Sequence, residues 1–213
     1  MAHYHKLFAI LAACGLLVLT GCASRQTEGM VQRDPDLAIT CFGVMPVQTA
    51  VDYDNTFSFS SAKQLKEGAA MLDRILHQYL GGHKGFRYVS ADQVYGIENA
   101  LEGPPIGRLK AVGAMINCNV MLEVQISRYV DRLGSEYTAR EPASVAFDYR
   151  LVETEKNQVL CRGHFEEQQQ YVLENLLTLN KAGKRGFTFV TAPELLREGV
   201  EEKFSQCGYL ADF

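Results

Sequence analysis

The spacing of apolar residues changes midway along the chain, and this change constrains the fold more than any other feature. Three later segments alternate apolar and polar residues, as strands with one buried face do. Their apolar positions are Val120, Leu122, Val124 and Ile126, then Val145, Phe147, Tyr149 and Leu151, then Val159, Cys161 and Phe165. A turn at residues 155–157 joins the last two segments. The spacing therefore predicts a three-stranded antiparallel meander.

The first half of the chain predicts helices around a buried strand. Residues 37–47 are nearly all apolar, as in a strand that is covered on both faces and lies inside a sheet. A short strand is predicted at residues 86–89. Three helices are predicted to begin at Ser61 with Gln64, at Ser90 with Gln93, and at Pro105.

Two more helices are predicted near the end of the chain. Residues 168–180 have an amphipathic pattern, and Thr191 with Glu194 forms a capping pair before a last apolar stripe. The order of the predicted strands and helices along the chain indicates an α/β fold class with some α+β character. It has a single mixed sheet of about five strands that includes the antiparallel meander and is flanked by helices. We expect one domain over residues 37–213.

The first 21 residues have the layout of a secretory signal peptide. Lys6 supplies a cationic start, and residues 7–19 form an apolar stretch that is too short to span a bilayer. Residues 19–22, Leu-Thr-Gly-Cys, follow directly and resemble the lipobox read by lipoprotein signal peptidase. We expect cleavage between Gly21 and Cys22, with acyl chains such as palmitate on Cys22.

The residues after Cys22 predict a flexible tether and a cellular location. Residues 22–36 are largely polar and are predicted to be a flexible tether. In Gram-negative lipoproteins an aspartate after the acylated cysteine resembles an inner-membrane retention signal, and Ala23 occupies that position here. The expected location is the outer membrane, on its periplasmic face.

Net charge and cysteine content limit the partners and the chemistry. The chain carries a net charge of −4, which becomes −5 once Lys6 is removed, so no nucleic-acid partner is expected. Four cysteines remain in the domain, at Cys41, Cys118, Cys161 and Cys207. They are predicted either to stay as buried thiols or to form disulfides in any of three pairings.

No motif in the sequence predicts a catalytic centre. His77 and His83 have no metal-ligand spacing; His164 and Glu166 would share one strand face, where a solvated surface is favoured over a metal site. The chain has no GxSxG serine motif and no phosphate-binding loop. The sequence therefore predicts no enzyme activity, no metal and no cofactor.

Three segments of the chain carry a family resemblance. Residues 38–47 (AITCFGVMPV) end in an apolar-Pro-apolar step, residues 111–129 have a Gly-Ala step before a long strand, and residues 145–163 form a hairpin. They resemble the α/β domain shared by CsgG-like curli-secretion lipoproteins, penicillin-binding-protein activator lipoproteins and the N-terminal domain of TolB. The hairpin departs from that pattern, with Lys156-Asn157 where a glycine is usual.

These observations predict an accessory or assembly lipoprotein that binds an envelope or secretion protein and catalyses nothing. Two alternatives are a subunit of a CsgG-like oligomeric channel and a periplasmic hydrolase whose site has no recognisable motif. Homo-oligomerisation stays open. For the channel, residues 131–142 are too charged and too short to supply membrane-crossing hairpins.

The partner surface is predicted on the loop at residues 51–59. Tyr53, Phe57 and Phe59 lie there among polar residues, and such aromatics are typical interface anchors. In an α/β sheet, the loop that follows an interior strand emerges at the strand's carboxyl end, where binding crevices tend to lie.

The lipobox generates the first testable prediction. Cys22→Ala removes the only acceptor for the lipid in that motif, so the variant should accumulate as an unprocessed or mislocalised precursor. Membrane fractionation and intact-mass measurement check this outcome. Recovery of the variant in the outer-membrane fraction at the mature mass would contradict the lipobox interpretation.

Overall fold

A mixed sheet forms the centre of the computed structural model, which describes residues 31–49, 51, 58–98, 105–169, 188–211 and 213. The strands are β1 (Phe42–Val44), β2 (Gln48–Thr49), β3 (Phe86–Tyr88), β4 (Val120–Val130), β5 (Leu133–Gly134), β6 (Ala139–Glu141), β7 (Ser144–Glu153) and β8 (Gln158–Gln168). The helices among these residues are α1 (Phe59–Leu80), α2 (Ala91–Glu98), α3 (Pro105–Ile116) and α4 (Ala192–Phe204). This arrangement confirms the predicted fold class.

The strand order is β3-β1-β4-β7-β8, with β2 pairing the later part of β4. Strands β1, β2 and β3 run parallel to their neighbours, and β4, β7 and β8 form the predicted antiparallel meander. The apolar strand predicted from residues 37–47 does lie inside the sheet, between β3 and β4. Strands β5 and β6 form a separate short hairpin.

One face of the sheet is covered by α1 and α4. Their buried side chains include Leu72 and Leu76 on α1 and Leu196 and Phe204 on α4. These pack against Leu122, Val124, Ile126, Phe147, Leu151 and Phe165 of the meander in one apolar cluster. The alternation in the sequence located this face correctly.

On the opposite face, α2 and α3 pack against one end of the sheet. A second apolar cluster there joins Met121 of β4 and Val152 of β7 to Leu109 and Val112 of α3. The sequence had predicted a single buried face, and that is wrong for the start of β4. Met121 stood at a position assigned to the outer face, yet its side chain is fully buried.

Helix α1 begins earlier than predicted. Its N-cap is Ser58, whose Oγ accepts the Ser61 N–H at 3.2 Å, so the proposed cap at Ser61 with Gln64 is wrong. Phe59 is therefore the first residue of a helix and not part of a loop. The predicted caps at Ser90 with Gln93 and at Thr191 with Glu194 are confirmed by their hydrogen bonds.

The register of β8 also differs from the prediction. A bulge between Leu151 and Val152 shifts the pairing, so that Leu151 pairs with Cys161 and Val152 with Val159. Val159 is 50% exposed, although it was expected to be buried, and Leu160 takes a buried position instead. Gln168 ends β8, so the predicted late helix does not begin there; its residues from 170 onward lie outside the described part.

Two disulfides link the described elements, Cys41 to Cys118 and Cys161 to Cys207. The first joins the residue before β1 to the segment between α3 and β4, and the second joins β8 to the turn after α4. Val31 pairs with Cys207 and donates its N–H to Gln206 O at 3.0 Å, so the described structure begins within the predicted tether. Among the described residues, no helix has the length and apolar character needed to cross a bilayer.

Candidate functional site

Beside the end of the sheet where α2 and α3 pack, β4, β7 and β8 build a polar surface on the same side. Paired residues on neighbouring strands point to the same side, so the registers define rows of side chains. The rows are Glu123–Arg150–Arg162, Gln125–Asp148–His164, and Arg128–Ala146–Glu166. Gln48 of β2 pairs with Gln125 and extends the second row. We call this surface the polar face.

A groove of about 540 Å³ lies over the first two rows. Its side-chain lining comes from the strands, and Arg108 of α3 closes one end. Charged and amide groups therefore surround a cavity whose size is within the range of small-molecule sites, about 300 to 1,000 Å³.

Glu123 anchors one end of the groove. Its side chain is only 9% exposed, and its two oxygens bind different arginines. Arg108 Nη2 lies 3.0 Å from Oε1, and Arg150 Nε donates to Oε2. A buried carboxylate needs such partners because desolvation alone strongly disfavours its charge. This arrangement, the Glu123 clamp, joins α3 to the sheet.

A second chain of ion pairs crosses the exposed end of the polar face. His164 Nδ1 lies 2.8 Å from Asp148 Oδ1 and His164 Nε2 lies 3.5 Å from Glu166 Oε2, while Arg128 Nη1 lies 2.8 Å from Glu166 Oε1. The hydrogen bond to Asp148 is the main cause that raises the pKa of His164, and Glu166 adds to it. The hydrogen bond from Arg128 is the main cause that lowers the pKa of Glu166.

The charges of the polar face differ from those of the chain as a whole. Three arginines and three carboxylates belong to it and Arg108 of α3 adjoins it, which leaves one net positive charge with His164 neutral. The complete chain is net negative, at −4. The polar face is therefore a local positive region on an acidic protein, which favours anionic ligands over cationic ones.

Ion pairs engage the carboxylates of the polar face. Each of its three carboxylates is bonded to an arginine or to His164, so none is placed as an isolated acid or base. Among the described residues, no group of three His, Cys, Asp or Glu side chains could hold a metal ion. His164 and Glu166 do share one face, as predicted, and they form an ion pair there.

The structure places only part of the predicted site residues. Gly21, Cys22, Tyr53 and Phe57 lie outside the described residues. Phe59 is in the first turn of α1 with 88% of its surface exposed, so its ring does not pack into the core. The alternation in the sequence puts Arg150 and Arg162 on the outer face of the meander, but nothing in it brings Arg108 to Glu123, and sequence reasoning missed the clamp.

Comparisons with known proteins give a fold likeness and no family. Neither the protein-family models nor the curated proteins yielded a match. Among solved structures, the PelC dodecamer from Paraburkholderia phytofirmans is similar at 10% identity, covering 82% of this chain and 94% of that one, with a TM-score of 0.43. The LpoB C-terminal domain from Escherichia coli is similar at 14% identity, covering 66% and 90%, with a TM-score of 0.40.

The lipoprotein GNA1162 from Neisseria meningitidis is also similar, at 12% identity over 68% of this chain and 96% of that one, with a TM-score of 0.32. Structural neighbours thus include an LpoB domain and a lipoprotein. Likenesses this distant assign no function, and the resemblance to CsgG-like proteins and TolB stays a prediction.

The Glu123 clamp generates a stability prediction. Glu123→Ala leaves two arginines without their buried carboxylate and should lower the free energy of unfolding by about 3 kcal/mol. Glu166→Ala is the matched control on the same face; its pair with Arg128 is solvent-exposed, so the loss should be much smaller. Urea denaturation measures both values. Equal losses in the two variants would show that the clamp does not hold α3 to the sheet.

Proposed function

We propose that this protein is an outer-membrane lipoprotein whose periplasmic domain binds another envelope protein and catalyses no reaction. The observation that carries the proposal is the pairing of all four domain cysteines in disulfides. Disulfides of this kind persist in oxidising compartments and are rare in the cytosol. The lipobox ending at Cys22 independently supports export, and it supplies the membrane anchor.

The absence of catalysis is inferred from how the titratable groups of the groove are used. Glu123 is held between two arginines, and Asp148 and Glu166 are bound to His164 and Arg128. A general acid or base needs a free proton-transfer position beside a substrate. The groove offers ion pairs instead, which supports a role in recognition. The alternative of a hydrolase gains no support from these contacts.

The channel alternative gains no support from the separate β5–β6 hairpin. Strands β5 and β6 have two and three residues. A strand that crosses the outer membrane needs roughly ten residues. We therefore favour a binding protein over a channel subunit.

The partner contact is proposed at the start of α1, around Phe59. An aromatic side chain that is 88% exposed loses much of its contact with water when a partner covers it, and this burial stabilises the complex. The neighbouring Ser58, Ser60 and Lys63 give the ring a polar surround. Tyr53 and Phe57 precede it closely in the sequence and are proposed to belong to the same surface.

The partner contact is tested by Phe59→Ser. Because the ring contributes little to the core, the free energy of unfolding should change by less than about 1 kcal/mol, while crosslinking to the partner in intact cells should be lost. Tyr95→Ser is the control, since Tyr95 is also an exposed aromatic, at 68%, but lies on α2. It should leave crosslinking unchanged. A large fall in melting temperature for Phe59→Ser, or equal crosslinking in both variants, would show that the partner surface does not lie around Phe59.

A further inference from the structure

Two arginines face each other across the outer strands of the polar face. Arg150 on β7 and Arg162 on β8 are directly paired in the register. Like charges in directly opposite positions destabilise a sheet. Strand β8 is the last in the order of the described strands, so none of these strands brings a carboxylate to the outer side of Arg162.

The carboxylates of the polar face neutralise this pair only in part. Glu123 binds Arg150 through Nε but divides its charge with Arg108. Asp148 is bonded to His164, and Glu166 is bonded to Arg128 and His164. Within the part of the chain that the structure describes, Arg162 forms no ion pair, and its side chain is exposed beside the groove.

The groove provides room and further polar groups beside the two arginines. Both arginines line the cavity of about 540 Å³, together with the amides of Gln48 and Gln125 in the neighbouring row. Guanidinium groups bind carboxylates and phosphates through paired hydrogen bonds. Amide groups donate to and accept from hydroxyls. A ligand with an anionic group and a hydroxyl-bearing body would meet both sets of groups.

We propose that this groove binds a small organic anion whose carboxylate or phosphate lies between Arg150 and Arg162 and whose polar body extends towards Gln125 and Gln48. The anion would cancel the repulsion between the paired arginines. This site goes beyond the proposed function, because it uses neither the lipid anchor nor the surface around Phe59.

Calorimetric titration of the full-length protein tests the site with four probes. Glucuronate carries a carboxylate and glucose 6-phosphate a phosphate, both on a hydroxyl-rich body; inorganic phosphate lacks the body and glucose lacks the charge. At least one acidic sugar should bind with a Kd of about 1 mM or below, which corresponds to a binding free energy of about −4 kcal/mol or more negative. Which of the two binds more tightly identifies the anionic group. Inorganic phosphate should bind at least tenfold more weakly, and glucose should not bind.

Two variants assign the binding to the groove. Arg162→Gln should weaken binding of the acidic sugar at least tenfold while its melting temperature stays the same or rises, because a repulsive charge is removed. Arg197→Gln is the matched control; it removes one exposed arginine from α4, on the covered side of the sheet, and should bind as the parent does. No binding of either acidic sugar, equal binding of inorganic phosphate, or equal loss in both variants would overturn the proposal.

Discussion

The pairing of β4 along both of its edges is the constraint on which the rest of the structure depends. Strands β1 and β2 run parallel to it on one side and β7 runs antiparallel on the other. Because β4 is central, its alternating side chains decide both surfaces of the sheet. Leu122, Val124 and Ile126 face α1 and α4, whereas the opposite side changes from Met121 to Glu123 and Gln125. The groove begins where that change occurs.

The two disulfides link the sheet to neighbouring segments of the chain. Cys41–Cys118 ties the start of β1 to the segment before β4, across 77 positions of sequence, and Cys161–Cys207 ties β8 to the end of α4, across 46. Closing such long loops restricts the unfolded chain most. A disulfide of this kind typically stabilises the folded protein by about 2 to 4 kcal/mol. Val31 also lies beside Cys207. With Cys22 as the proposed anchor, the chain from there to Val31 can reach at most roughly 30 Å, which limits the distance of this end from the membrane.

Local patterns in the sequence predicted the features that depend on neighbouring residues. Alternation located the meander, and the capping pairs at Ser90 and Thr191 located two helix starts. The start of α1 was misplaced because Ser58, Ser60 and Ser61 all offer a capping hydroxyl, and only the folded geometry selects Ser58. Val159 was misassigned because a single bulge in the pairing with β7 moves it to the other side.

Contacts between distant segments could not be predicted from the sequence. The Glu123 clamp joins residues 15 and 27 positions apart on a helix and two strands, and spacing alone does not specify which arginine reaches a carboxylate. The cysteine pairing had three equivalent solutions for the same reason. The opposition of Arg150 and Arg162 depends on the exact register, which the bulge after Leu151 alters.

Peptide mapping of protein isolated from the cell envelope, under non-reducing conditions and after alkylation, tests most directly whether this is an exported, lipid-anchored domain. We expect Cys41 linked to Cys118, Cys161 linked to Cys207, and an N-terminal peptide that begins at an acylated Cys22. Alkylated thiols at these four domain cysteines, or a mature chain that retains residues 1–21 and carries no lipid, would contradict this account of the protein.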